Sequence, residues 1–336
     1  MIDIGAFIAA GVVIFFAGRK LSYYGNRIAD LTGMGKAWLG LILMAAITSL
    51  PELMVGISSS AILESADLAV GDVLGSCAFN LGVLALMDAL VPKHKSIFGM
   101  VSQSHIMAAG MSIILLSITG VALYLPDEIV VVKGLGLTSA VFIIIYFLSV
   151  WILYRFDNKN KQRAVPSPEA DMPPAHPNLK VTLLRFTLYA LIIVIAATSL
   201  PYFADKISED IGLSQSFAGT LLLAVSASLP EIAVSIAAVR LGAVDMAVGN
   251  LLGSNLFNIL ILAVDDIFYV NGHLLKDASD VNLISCFSTI VMSAIAITGL
   301  GYRLKTKRFW LAWDAVLIFA VYLFNLFVVY RLSGTY

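Results

Sequence analysis

Charged residues are scarce in this sequence, cysteine is almost absent, and positive charge is not in excess. Charged residues make up 13% of the 336 residues and hydrophobic residues 60%, whereas about a quarter of an ordinary soluble domain is charged. The mean hydropathy of +0.93 therefore predicts a polytopic membrane protein. A net charge of -1 argues against a nucleic-acid partner, which needs a clustered basic surface. Cys77 and Cys286 lie in apolar runs, so neither a disulfide framework nor a cysteine metal site is expected.

The sequence also lacks the motifs of a membrane-embedded enzyme. It shows no His/Glu zinc motif, no Ser/His pair and no glycine-rich phosphate loop beside its acidic residues. The four histidines are scattered along the chain. We therefore expect neither an enzyme nor a resident cofactor, and nothing in the sequence implies a protein partner.

Apolar runs of roughly 20 residues, long enough to cross a bilayer, occur throughout the chain. They predict ten spans, at residues 4–18, 37–61, 67–91, 102–124, 128–154, 181–204, 214–239, 243–268, 281–301 and 309–330. The chain turns apolar directly after Met1-Ile-Asp3 without a basic segment, so we expect the first run to be a retained span. The predicted fold class is an all-α polytopic membrane protein with ten transmembrane helices.

Lysine and arginine divide unevenly between the two sides that these spans define. Of the 21 basic residues, all but Lys133, Lys206, Lys276 and Arg331 fall on one side, which the positive-inside rule makes cytoplasmic. We therefore predict an integral protein of the cell membrane, plasma or inner, with both termini on the non-cytoplasmic side.

The chain contains two copies of one pattern, so it is an internal duplication. Residues 48–52 read Thr-Ser-Leu-Pro-Glu and residues 228–231 read Ser-Leu-Pro-Glu. Each is followed by a related stretch, DLAVGDVLGS at 67–76 and DMAVGNLLGS at 245–254. A duplicated, proline-broken apolar segment that carries a carboxylate is typical of secondary transporters with a site between two repeats.

The duplication defines three regions. We predict a first five-helix repeat over residues 1–156, a proline-rich cytoplasmic linker over 157–180 and a second five-helix repeat over 181–336. The first repeat starts outside and the second starts inside, so the two are inverted in the membrane. Inverted repeats are the architecture of alternating access, and we expect the first and sixth spans to slide over a stiffer core.

Oxygen-bearing side chains cluster at the two motifs. Beside each proline break stand Thr48, Ser49 and Glu52 in one repeat and Ser226, Ser228 and Glu231 in the other. The third and eighth spans add polar stripes at i, i+4 and i+8, formed by Asp72, Ser76 and Asn80 and by Asn250, Ser254 and Asn258. An all-oxygen cluster suits hard cations such as Ca²⁺ and Na⁺.

These motifs closely resemble the two alpha-repeats of the cation/Ca²⁺ exchanger superfamily, especially its Na⁺/Ca²⁺ exchanger branch. The resemblance implies antiport, in which Ca²⁺ crosses the membrane one way and several Na⁺ the other. It implies that Glu52 and Glu231 are the central Ca²⁺ ligands and that Asn80 and Asn258 complete the middle of the site. The Na⁺ positions would be lined by Thr48, Ser49, Ser228, Ser76 and Ser254 with the carbonyls of Ala45 and Ala224.

Three positions depart from the family pattern. Ala227 stands where the pattern has threonine, which removes a hydroxyl from a Na⁺ position. Asn258 replaces an aspartate of some prokaryotic and K⁺-dependent members, although asparagine also occurs there, and this speaks against a K⁺ requirement. Asp72 occupies the position that Asn250 has in the other repeat, and we expect it to add a third carboxylate on the face that carries Ser76 and Asn80.

With Asp72 present, the sequence is consistent with either of two counter-ions, Na⁺ or H⁺. Clustered carboxylates in a low-dielectric site favour proton uptake, so H⁺/Ca²⁺ exchange is the alternative to Na⁺/Ca²⁺ exchange. A cation channel is a less favoured third interpretation, because it needs a continuous pore. The expected partners are Ca²⁺, a monovalent counter-ion and the lipid bilayer.

Further acidic residues lie near the ends of spans. They are Glu64, Asp67, Asp245, Asp265 and Asp266. We expect solvated charge at these positions, with a role in ion entry as the alternative.

Overall fold

The computed structural model describes residues 2–92, 95–125, 130–132, 135–163, 178–210, 225–303, 307 and 309–333. The helices in chain order are α1 (Ile2–Thr32), α2 (Lys36–Trp38), a π-helical segment (Leu39–Met44), α3 (Ala45–Thr48), α4 (Leu50–Ala61), α5 (Ala66–Met87), a 3-10 turn (Asp88–Leu90), α6 (Ile97–Met100), α7 (Ser104–Tyr124), α8 (Leu137–Arg163), α9 (Leu179–Asp210), α10 (Leu229–Arg240), α11 (Val244–Phe268), α12 (Leu274–Asp277), α13 (Asn282–Tyr302) and α14 (Trp313–Ser333). Two short strands, β1 (Val130–Val132) and β2 (Leu135–Gly136), pair antiparallel between α7 and α8. The predicted all-α membrane class is confirmed.

Eight described helices are long and apolar enough to cross a membrane. The pair Lys36–Thr48 and Leu50–Ala61, bent by 42°, makes a ninth span. The predicted span 214–239 lies partly on residues 211–224, outside the described part of the chain, and its remainder includes α10. The count of ten therefore stays a prediction. Most of the predicted linker, residues 164–177, also lies outside the described residues.

The predicted fifth span, 128–154, is wrong at its beginning. Helix α8 starts at Leu137, and the preceding residues pair as β1 and β2. The valines of β1 are β-branched and favour extended backbone, although they are as apolar as a transmembrane helix. Hydropathy alone does not distinguish an apolar β-strand from the start of a transmembrane helix.

Helix α1 continues to Thr32, well beyond the predicted span 4–18. Its basic residues extend along aromatic rings, with Lys20 Nζ 6.0 Å from the Phe16 ring and Arg27 Cζ 5.9 Å from the Tyr23 ring. Long basic side chains cover apolar surface while their charged ends stay in water. Helix α1 therefore continues without a break beyond the apolar run.

Helices α5 and α11 lie at the centre of the molecule. Within an apolar stretch of 18 residues in each helix, 72% of the α5 stretch and 83% of the α11 stretch are buried. The corresponding share is 28% for α1, α8 and α9 and 17% for α14. Helix α4 packs against both central helices, and α10 packs against α11. The outer helices carry exposed large apolar side chains, among them Phe16, Ile144, Leu184 and Phe324. A broad apolar surface around a packed centre fits a bilayer environment.

Helices α1 and α9 form a distinct peripheral pair. They pack extensively against each other and also contact the two motif-bearing halves, α1 against α10 and α9 against α4. Ile14, Ala197, Leu200 and Ala233 form a small buried cluster that is separate from the main core. The pair therefore lies at the periphery of the molecule.

Backbone contacts without intervening side chains join α11 to the segment before Glu52. A Cβ added to Gly253 would collide with the carbonyl oxygen of Leu41, and one added to Gly249 would lie 2.7 Å from the carbonyl oxygen of Ala37. Small residues allow helices to approach this closely. The approach brings the two halves of the site together.

Candidate functional site

The two motif helices break at equivalent serines with nearly identical backbone angles. Ser49 has φ -89° and ψ 7°, and Ser228 has φ -88° and ψ 9°. A proline follows two residues later in each case, and helices α4 and α10 each contain 12 residues. Because proline is favourable only in the first turn of a helix, the motif restarts the helix and places its glutamate in the new first turn.

Each repeat hydrogen-bonds the glutamate of the other repeat. The Ser49 hydroxyl donates to Glu231 Oε1 at 3.2 Å, and the Ser228 hydroxyl donates to Glu52 Oε1 at 3.1 Å. Both glutamates are buried, with exposed fractions of 1% for Glu52 and 0% for Glu231. The site is therefore formed jointly by the two repeats.

The central helices complete this group. Ser76 Oγ lies 3.2 Å from Ser228 Oγ, and the Ser254 hydroxyl donates to Glu231 Oε1 at 3.5 Å. Four serines and two glutamates from four separate helical segments thus meet in one buried cluster.

Half of each glutamate carboxylate remains without a partner. Glu52 Oε2 and Glu231 Oε2 are buried and accept no hydrogen bond. Neither glutamate takes part in an ion pair described in this structure. A buried carboxylate costs several kcal/mol unless a cation or proton compensates its charge. The arrangement is poised to bind a cation.

The two predicted asparagines are also buried. Asn80 and Asn258 are 1% and 0% exposed, and the Oδ1 atom of each accepts no hydrogen bond. Asn80 Nδ2 donates to Asn255 Oδ1 at 3.1 Å, while Asn255 Nδ2 donates to the Cys77 carbonyl at 3.1 Å. The sequence prediction missed Asn255, which links α5 to α11. Its polarity inside a buried apolar helix was the available signal.

Thr48 joins the site through Asn250. Its hydroxyl contacts Asn250 Oδ1 at 3.2 Å and the Ala45 carbonyl at 3.3 Å. The Ala45 carbonyl also accepts the backbone N–H of Ser49 at 3.0 Å, so it would reach an ion only by giving up one of these contacts. Ala224 lies outside the described residues.

Asp72 does not have the two hydroxyl-bearing neighbours that its counterpart Asn250 has. Asn250 bonds the hydroxyls of Thr48 and Ser235, whereas the residues that the duplication matches with Thr48 and Ser235 are Ala227 and Gly56. Asp72 Oδ2 is buried and accepts no hydrogen bond. The hydroxyl missing at Ala227 therefore leaves a carboxylate oxygen available.

Acidic residues at span ends mostly hold neighbouring segments in place. Asp245 accepts the Ser102 N–H at 2.6 Å and contacts His105 Nε2 at 3.1 Å. Asp266 accepts hydrogen bonds from the Ser139 hydroxyl at 2.7 Å and the backbone of the segment before α8 and of α12. Asp265 and Asp266 are 0% and 3% exposed, so the prediction of solvated charge is wrong for both.

Among the described residues, no three His, Cys, Asp or Glu side chains are grouped as a metal site. The central cluster instead combines two carboxylates with hydroxyl and amide oxygens. This donor set has no soft ligand in it and matches the requirements of Ca²⁺ and Na⁺.

A membrane fold of this kind, with two broken helices meeting at a buried oxygen cluster, defines a class of ion carriers. The sodium/calcium exchanger protein family model matches residues 2–155 and 181–331. The chain belongs to this family, which is one of exchangers and not an enzyme class. The resemblance inferred from the motifs is confirmed.

Individual relatives agree with this assignment. The chain is 26% identical to the inner membrane protein YrbG of Escherichia coli, over 75% of each chain. It is 26% identical to the sodium/calcium exchanger MaX1 of Methanosarcina acetivorans, over 91% of this chain and 92% of that one. The solved structure of the sodium-calcium exchanger NCX_Mj, soaked with 2.5 mM Na⁺ and 0.1 mM Ca²⁺, has the same fold. It matches with a TM-score of 0.74 and 22% identity over 96% of this chain and 97% of that one.

Proposed function

We propose that this protein is an antiporter that exchanges Ca²⁺ for Na⁺ by alternating access, with Glu52 and Glu231 as the central ligands. The supporting observation is the pair of buried glutamates, each held through Oε1 by a serine of the other repeat and each left with an unpartnered Oε2. One Ca²⁺ neutralises the two charges, and Na⁺ ions compete for the same oxygens. Ions of one type therefore exclude the other.

The remaining predicted residues take supporting roles. The Asn80 and Asn258 amide oxygens are buried and accept no hydrogen bond, so they remain available as ligands. The flanking Na⁺ positions would be lined by hydroxyls and carbonyls of the residues that the motifs specify, which are Thr48, Ser49, Ser76, Ser228, Ser254, Ala45 and Ala224. Ion binding compensates the buried charge of the two glutamates. It therefore permits the protein to close around the occupied site.

The peripheral position of α1 and α9 supports their role as the moving elements. In our proposal, residues 1–156 and 181–336 form two inverted repeats joined by the cytoplasmic linker 157–180, and both termini face outward. Helix α1 is attached to α10 by the Ser22 hydroxyl, which donates to the Val234 carbonyl at 2.8 Å. Sliding of α1 must break this bond.

A disulfide between α1 and α10 tests the sliding. A Cβ at Gly18 would lie 3.3 Å from Ala233 Cβ, close to the separation in disulfides, so Gly18→Cys with Ala233→Cys is expected to crosslink. Oxidation should reduce ⁴⁵Ca²⁺ exchange by at least about tenfold, and reduction should restore it. Each single cysteine variant is the control. Full exchange in the oxidised double variant would refute the sliding of α1.

H⁺/Ca²⁺ exchange is the second candidate, and the buried, unpartnered Oδ2 of Asp72 favours it. The deciding measurement is ⁴⁵Ca²⁺ uptake into proteoliposomes under an outward Na⁺ gradient or an outward H⁺ gradient, with ionophores that dissipate the other. We expect uptake with the Na⁺ gradient alone. Uptake driven only by the H⁺ gradient would identify H⁺ instead of Na⁺ as the counter-ion. Uptake driven by voltage without either gradient would indicate a channel.

Asp72→Asn is the matched variant, because it reproduces the residue of the second repeat. Under Na⁺ coupling the variant is expected to keep the Na⁺ dependence of exchange and the shape of its pH profile. A changed pH profile would assign proton coupling to Asp72.

A further inference from the structure

Asp265 is a buried carboxylate that the central site does not use. It lies near the end of α11 with 0% exposure, and both Oδ1 and Oδ2 accept no hydrogen bond. Its carboxylate rests directly against Gly56, where an added Cβ would collide with it. The next residue, Asp266, has three hydrogen-bond donors. Burial of the Asp265 carboxylate is therefore unfavourable, and no hydrogen bond offsets this cost as the three bonds to Asp266 do.

Asp72 is the second carboxylate of this region. The duplication matches Gly56 with Ser235 and Asp72 with Asn250, and Asn250 Nδ2 donates to Ser235 Oγ at 3.1 Å. By this correspondence Asp72 lies beside Gly56, against which the Asp265 carboxylate rests. Asp72 is only partly buried, although its Oδ2 is buried and unpartnered. Both aspartates therefore lie close to the same glycine of α4.

The matching positions of the other repeat carry no carboxylate. The duplication places Asn250 at the position of Asp72, Met87 at that of Asp265 and Ser235 at that of Gly56. Asn250 is fully engaged there with Thr48 and Ser235. The two carboxylates therefore belong to one access route alone.

The location of the pair identifies that route. Gly56 and Asp72 lie on α4 and α5, between the central site and the connection from Ala61 to Ala66 that joins these helices. The predicted orientation puts this connection outside the cell. The pair consequently lies on the extracellular side of Glu52 and Glu231.

We propose that Asp72 and Asp265 form a second cation site, which binds Ca²⁺ on the extracellular approach to the central site. Two carboxylates supply the hard oxygen ligands that Ca²⁺ prefers, with water completing the coordination. The site gives the two faces of the carrier different apparent affinities for Ca²⁺. The inference rests on the proposed function for its transport role but not for Ca²⁺ binding itself.

Equilibrium ⁴⁵Ca²⁺ binding to the purified full-length protein tests the site directly. In the Glu52→Gln/Glu231→Gln background the central site is disabled, and we expect residual Ca²⁺ binding of about one ion per chain. Adding Asp265→Asn should weaken this binding at least tenfold, whereas adding Glu64→Gln, on an exposed residue of the same side, should leave it unchanged. No residual binding, or binding indifferent to Asp265→Asn, would overturn the proposal.

A transport measurement tests the sidedness. In vesicles of defined orientation, Asp265→Asn alone should raise the half-saturating Ca²⁺ concentration about 3- to 10-fold at the extracellular face and leave it unchanged at the cytoplasmic face. Equal shifts at both faces, or none, would contradict an extracellular site. Gly56→Ser introduces the hydroxyl that Ser235 has in the other repeat. This variant should also raise the half-saturating Ca²⁺ concentration at the extracellular face. If wild-type protein shows no Na⁺-driven uptake, the proposed function fails, while the binding assay still decides the second site.

Discussion

Glu52→Gln and Glu231→Gln are each expected to lower Na⁺-driven Ca²⁺ uptake by at least about 100-fold. Glutamine keeps the size of the side chain and its bond to the opposing serine but removes the charge. The loss of one member of a buried, charge-compensated group costs about 3 kcal/mol or more, which corresponds to roughly a 100-fold loss of affinity. Uptake of ⁴⁵Ca²⁺ into proteoliposomes measures the effect.

Thermal unfolding separates this effect from misfolding. Without Ca²⁺, each glutamine variant should unfold at the same temperature as the wild type or higher, because an uncompensated buried charge has been removed. Added Ca²⁺ should stabilise the wild type, as any ligand selective for the folded state does, but stabilise the variants much less. Glu64→Gln makes the same chemical change at an exposed residue and should exchange normally. A Glu52 or Glu231 variant with wild-type exchange would eliminate that residue as a ligand.

Gly253→Ala is expected to lower the midpoint of thermal unfolding by at least about 5 °C. Alanine normally stabilises a helix relative to glycine by about 1 kcal/mol, so intrinsic propensity predicts the opposite sign. The added methyl group collides with the Leu41 carbonyl oxygen, which belongs to the backbone and has no rotamer by which to escape. Overpacking of this kind costs about 1–3 kcal/mol, and the helices that carry the two halves of the site must separate.

Gly110→Ala provides the comparison within another long helix. Among the described atoms, none lies within 4 Å of a Cβ added there, so this variant should unfold at the wild-type temperature or slightly above it. Detergent-solubilised protein, followed by the loss of monodisperse material on heating, gives both values. Equal midpoints for Gly253→Ala and wild type would show that the close backbone contact does not limit stability.

The sequence predicted the central site because chemistry and duplication coincide there. A proline and a glutamate are costly in an apolar span, and their recurrence at matching positions in two repeats identified Glu52 and Glu231. The serines followed from the same motif. The reciprocal bonding between repeats was not predictable, because one sequence contains no information on which hydroxyl meets which carboxylate.

Elsewhere, hydropathy was the limiting signal. It ended the first span at the first basic residue, although α1 continues because long basic side chains remain solvated. It also merged the strands before α8 with the following helix. The π-helical segment Leu39–Met44 had no sequence signal of its own, and it lies where α11 approaches at backbone distance. The burial of Asp265 depends on Gly56 in a distant helix and is a tertiary effect.

The crossed serine–glutamate bonds also constrain how ion selectivity can change. Because Ser49 serves Glu231 and Ser228 serves Glu52, a substitution at either serine alters the coordination offered by the opposite half of the chain. Neither half carries a complete set of ligands that selection can tune by itself. Shifts in specificity therefore require paired changes, one in each half, and the unit on which selection acts is the contact between the repeats.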